Sequence, residues 1–137
     1  MKTLVYVEHD NASMKDATLA VVTAASQLGE VHALVAGHNC GAVADAAAKI
    51  AGISKVHVAD NAAYANQLAE NVAPLVADLM GHHDAVLFPA TAHGKNIAPR
   101  VAAQLAGTDP VFTVSSCVDG RFDRGRCIAI CRGIPDG

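Results

Sequence analysis

AVLFPATAHGKNIAPRVAAQL, residues 85–105, decides the fold. Ala85 to Phe88 is a short apolar run that reads as a buried strand. Pro89 has no N–H to give a sheet ladder and ends it. Thr91, His93 and Gly94 make the turn, and Ile97, Val101 and Leu105 then repeat every fourth residue along one helical face. Pro99 is expected in the first turn of that helix, where a missing N–H is tolerated. A strand, a polar loop and a helix opening place this loop at the carboxyl edge of an open α/β sheet, where ligands and partners dock.

Working outward, the same unit recurs. Thr3 to Val7 reads as a first strand, followed by the loop Glu8, His9, Asp10 and Asn11. Ser13 with Asp16 has the spacing of a capping box for a helix striped by Ala17, Val21, Ala24 and Leu28 and stopped by Gly29. Val31 to Ala36 is a second strand, ending in Gly37, His38, Asn39, Cys40 and Gly41. An alanine-rich helix over about 42–51 stops at Gly52, and Lys55 to Ala59 is a third strand. Asp60 is a candidate cap for the helical stretch after it. Pro74 predicts two helical pieces between Ala62 and Met80, around Tyr64 to Glu70 and from about Val72, with Asn71 capping the second. The order βαβαβαβα implies a mostly parallel, Rossmann-like sheet with helices on both faces, of the adenine-nucleotide-hydrolase-like kind.

Length and composition narrow the function. One domain of 137 residues can bury about 70% of its unfolded surface. A net charge of −3 argues against nucleic acid as a partner. No apolar run approaches the roughly 20 residues of a membrane helix, so the chain is not expected to insert in a membrane. The start reads directly into a strand without a targeting segment, which gives a cytoplasmic, bacterial reading. In that compartment Cys40, Cys117, Cys127 and Cys131 are thiols rather than disulfides.

The carboxyl-edge loops gather Glu8, His9, Asn11, His38, Asn39, Cys40, Asp60, Thr91, His93 and Lys95 on one rim. His9, His38, Cys40 and His93 carry soft ligand atoms, but their spacing is no metal motif, and polar loops also simply face water. The first loop has two acids and no glycine, unlike a dinucleotide-binding turn. Gly94, Lys95 and Asn96 open a helix and suit an anion, while the turn alone is a sufficient reason for Gly94. Cys40 near His38 defines no nucleophile–base geometry, and no nucleophile elbow occurs.

The run from Phe88 to Ala103, with the hallmark Gly94, Lys95, Asn96, Pro99, Arg100 and Val101, resembles the signature closing the N-terminal domain of the electron transfer flavoprotein alpha subunit. The likeness includes LVYVEHDN at 4–11, VHALVAG at 31–37, AAAKIAG at 46–52 and LAENVAP at 68–74. The resemblance implies an electron carrier rather than an enzyme. It would pass electrons through FAD from acyl-CoA and other dehydrogenases, as in fatty acid beta-oxidation, to a quinone reductase, as a heterodimer with a beta subunit. It implies that the FAD ligands lie in a further domain beyond this chain, so that no catalytic, cofactor or metal residue carries over. It leaves Glu8, His9, Asn11, Thr91, His93, Gly94, Lys95, Asn96 and Arg100 as interface candidates. A stand-alone nucleotide-binding module of the same fold, or a fragment without function, is the alternative.

Residues 1–106 carry the likeness, and residues 107–137 keep only echoes at Val114, Val118, Asp119, Phe122 and Arg124. Alanine nearly vanishes there, arginine replaces lysine, and three of the four cysteines appear. This composition predicts a truncated or frameshifted end that packs poorly, and hence an open sheet edge prone to association.

Overall fold

The computed structural model describes residues 2–27, 29–108, 112–115 and 127–132. Four βα units succeed one another: β1 (Lys2–Tyr6), α1 (Ala17–Ser26), β2 (Glu30–Gly37), α2 (Gly41–Ala48), β3 (Ile53–Asp60), α3 (Ala69–Leu79), β4 (Ala85–Pro89) and α4 (Ala92–Thr108). Two further strands, β5 (Phe112–Ser115) and β6 (Cys127–Arg132), complete the sheet. Its order is β3-β2-β1-β4-β6-β5. The first four strands are parallel, as expected, and β6 runs antiparallel to both β4 and β5.

Strand alternation sends side chains to both faces of the sheet, where three apolar clusters form among the described residues. Leu4, Tyr6, Leu34, Val86 and Phe88 meet Val72, Val76, Ile97 and Val101 of α3 and α4. On the other face Val5, Val31 and Leu87 meet Val21 and Ala25 of α1, while Val7, Ala33 and Val35 meet Val43 and Ala47 of α2. The chain winds in opposite directions from β1, to β2 on one side and β4 on the other, so the strand order reverses between β1 and β4, the switch point at whose carboxyl edge such folds bind ligands.

Several local expectations are corrected. Ser13 caps no helix: its N–H and hydroxyl turn back to the Asp10 carboxylate, at 2.6 and 3.2 Å, and α1 begins only after Asp16. Asp60 does not cap either; Asn61 does, accepting from the Ala63 N–H at 2.9 Å. The break before α3 falls at Gln67, with φ of +50°, rather than at Asn71. Asn71 instead donates to the Ala63 carbonyl at 3.1 Å. Pro74 and Pro99 both lie inside their helices, and neither occupies a first turn. Both rings are exposed, so the carbonyls that lose a partner face water.

The described strand β6 departs from the expectation of an unpacked end and an open edge. β6 covers the edge of β4 from Ala85↔Cys131 to Pro89↔Cys127, and Ile130 is wholly buried in the α3/α4 core. The outer strands of the sheet are β3 and β5, not β4. The echoes at Val118, Asp119, Phe122 and Arg124 lie outside the described residues.

Candidate functional site: the carboxyl-edge rim

The rim residues form a connected polar network across the ends of β1, β2 and β4. Thr91 is its hinge at β4. Its hydroxyl donates to Glu8 Oε2 at 2.8 Å and accepts the Gly94 N–H at 3.2 Å, while its carbonyl accepts the Lys95 N–H at 2.8 Å. Thr91 is therefore the N-cap of α4, a role its hydroxyl chemistry allows and one that its reading as a turn, rim and interface residue did not include. Gly94 lies in the first turn of α4, pressed on the end of β4, where a Cβ would collide with the Pro89 carbonyl oxygen. Close packing thus requires this glycine. With the Thr91 cap and the Glu8 carboxylate already there, the helix start is an unfavourable place for a phosphate.

One layer deeper, the Tyr6 hydroxyl lies 3.0 Å from His93 Nε2, and the Tyr6 ring tilts against both Phe88 and His93. Burial, and then the Glu8 carboxylate, push the Tyr6 phenol well above its usual value. It therefore stays an O–H donor, which suits His93 in its Nδ1–H tautomer. Burial pulls the His93 imidazole below its ordinary value, opposed by Glu8.

On the β2 side, His9 Nε2 meets the Ala36 carbonyl at 2.8 Å, so that nitrogen carries the proton. Its Nδ1 accepts the Asn11 N–H at 2.9 Å and faces Gln67 Nε2 at 3.3 Å. Asn11, at φ +70°, ties the loop down by donating to the Ala65 carbonyl and accepting from the His38 N–H. Asp60 accepts from the Asn39 N–H at 2.9 Å and stands 3.8 Å from His38 Nδ1.

The sequence-derived metal set does not converge here. Both ring nitrogens of His9 are engaged and His93 faces Tyr6. Cys40 is fully buried at the start of α2, and burial followed by the Asp60 carboxylate pushes its thiol up, away from nucleophilic reactivity. Lys95, Asn96 and Arg100 are exposed along α4. Glu8, His9, Asn11, Thr91, His93 and Gly94 are half-buried or buried beneath that surface. The rim is thus a stiff, mostly self-satisfied edge, suited to holding a shape more than to reacting.

The His9 geometry sets a pH dependence. Burial lowers the His9 pKa against smaller opposing effects from the Ala36 hydrogen bond and Asp10, and a proton on Nδ1 would face two donors. The folded state thus holds His9 neutral, while the unfolded chain takes up its proton from about pH 6.5 downward. This contribution is complete above about pH 6.5 and is lost as pH falls towards the lower folded value. Melting temperatures measured from pH 7.5 to 5 should fall, and His9→Gln should show a shallower slope. Equal slopes would refute this assignment.

An open α/β domain with a polar rim at its strand-order reversal is an architecture shared by nucleotide-binding and subunit-docking proteins. The electron transfer flavoprotein domain family model matches residues 3–124, and the chain belongs to that family. It is 59% identical over 106 residues to the electron transfer flavoprotein subunit alpha of Pseudomonas aeruginosa, covering 77% of this chain and 34% of the relative. It is 55% identical to that of Bradyrhizobium diazoefficiens and 44% identical to that of Paracoccus denitrificans, with the same coverage. The chain therefore spans about a third of the length of these curated relatives. Among the described residues, no helix is long and apolar enough to cross a membrane.

Proposed function

We propose that residues 1–106 serve as the N-terminal domain of an electron transfer flavoprotein alpha subunit and bind a beta subunit. The observation that carries this reading is the 59% identity over 106 residues to a protein of that name. In this role the chain is a carrier subunit, not an enzyme, and contributes to FAD-dependent electron transfer only within the heterodimer. Electrons would pass from acyl-CoA or other dehydrogenases to a quinone reductase, with the FAD held by a domain outside this sequence. Glu8, His9, Asn11, Thr91, His93 and Gly94 would set the shape of the docking edge from beneath. Lys95, Asn96 and Arg100 would meet the partner. The self-engaged rim supports a docking role over a nucleotide-binding one.

Co-expression with a tagged beta subunit, then a visible spectrum of the purified material, tests this. The expected product is a colourless complex that Arg100→Glu weakens. A yellow complex would overturn the placement of FAD outside this chain. No complex, with a melting temperature raised by AMP, would overturn the docking role in favour of a nucleotide-binding module.

A further inference from the structure

Three histidines converge at the other end of the sheet from the rim. His32 lies near the start of β2, His57 on the neighbouring β3, and His83 in the link entering β4. His32 Nδ1 is 2.9 Å from His83 Nε2 and 3.4 Å from His57 Nε2, and one ligand nitrogen from each ring lies within 4.8 Å of the other two. His32 and His83 are buried, and His57 is half-buried at the sheet edge.

The outer nitrogens are already assigned. His83 Nδ1 is 2.7 Å from the Leu79 carbonyl, which can only accept, so Nδ1 carries the proton and Nε2 presents a lone pair to the centre. His32 Nε2 is 3.5 Å from the Glu30 carboxylate, which likewise favours a proton there and a lone pair on Nδ1. Two lone pairs then face each other at 2.9 Å. Moving the His32 proton to Nδ1 relieves that contact but turns a lone pair on the Glu30 carboxylate. A positive species between the rings satisfies every contact. A shared proton is one such species and a bound metal cation is the other.

We propose that His32, His57 and His83 form a three-nitrogen site for a divalent first-row transition cation, with zinc as its physiological occupant. Imidazole nitrogens suit this class and not magnesium or calcium. Zinc–nitrogen bonds of about 2.0–2.1 Å need nitrogens roughly 3.3 Å apart, near the 2.9 and 3.4 Å from His32 Nδ1 to the other two rings, with all three nitrogens within 4.8 Å of one another. The carbonyl and carboxylate behind His83 and His32 are the outer partners that orient metal-binding histidines. The half-exposed His57 leaves a fourth position open to water. The ion would clamp edge strand β3 to β2 and to the link between α3 and β4. Lys55, whose charge opposes cation binding, is offset by Glu30.

The test is calorimetric titration of the full chain, purified without a histidine tag and stripped with chelator, using zinc alone. One equivalent should bind per chain and raise the melting temperature by about 10 °C at a zinc concentration about 100 times Kd. Cobalt should give visible d–d bands at the same stoichiometry. His57→Ala should abolish binding or weaken it beyond about 100-fold, Glu30→Gln should weaken it about 10-fold, and His38→Ala should leave it unchanged. The absence of binding by the parent chain would overturn the site, as would binding that survives His57→Ala.

Discussion

Gly94→Ala is expected to remove about 3 kcal/mol or more of folding stability, as a fall in the urea midpoint with an unchanged slope. The reason is backbone against backbone. A methyl group at Gly94 would collide with the Pro89 carbonyl oxygen and come within 3.0 Å of its carbon, with Phe88 Cβ next at 3.5 Å. Neither β4 nor the first turn of α4 can yield cheaply. Phe88 and Pro89 are buried, and the Thr91 cap fixes α4 to Glu8. Relief requires lifting α4 from the sheet, which would strip Ile97 and Val101 of their contacts and displace Lys95, Asn96 and Arg100 together. Gly41→Ala is the contrast. It lies at the start of α2 with nothing near its missing Cβ, so stability should hold or rise by up to about 1 kcal/mol. A Gly94→Ala chain within about 0.5 kcal/mol of the parent would refute the close-packing account.

The order of elements was legible because hydrophobic period and punctuation agree. Phe88 followed by Pro89 ends a strand, and Gly52, at φ +98°, turns the chain after α2 towards β3. Helix boundaries were less legible because short polar side chains have competing partners. Ser13 looked like a cap until Asp10 offered it a nearer acceptor. Pro74 looked like a break and Pro99 like a first-turn residue, yet each sits inside its helix on a solvent-facing side where the lost hydrogen bond is mild. At the rim, strand ends identified which residues gather, since every carboxyl-edge loop arrives at one side of a parallel sheet. They could not reveal that Thr91 reaches Glu8 or that His9 is locked on both nitrogens, because those contacts depend on side-chain directions. The histidine cluster escaped for a related reason. His32 and His57 are 25 residues apart in sequence, and His83 is 51 residues from His32, so no local spacing flags them. The signal lay in histidines on adjacent predicted strands, with a third before the next strand on the same side of the sheet.

The second large effect concerns the tail. Its shift in composition predicted residues that do not pack, whereas β6 runs beside β4 with Ile130 opposite Val86 and wholly buried. Ile130→Ala should therefore cost about 2–5 kcal/mol, the range for removing a buried aliphatic side chain and leaving a cavity. That cavity would open among Val86, Phe88 and the faces of α3 and α4, and the packing of α4 should loosen with it. Leu19→Ala, at a helix position 46% exposed, should cost under about 1 kcal/mol and controls for aliphatic loss without a cavity. The paired measurement separates two accounts of residues 107–137. If Ile130→Ala lowers the urea midpoint far more than Leu19→Ala, β6 belongs to the cooperative core and protects the β4 edge from pairing with other chains. If the two are equal, the tail contributes nothing to folding, and the four parallel strands with their helices carry the stability alone.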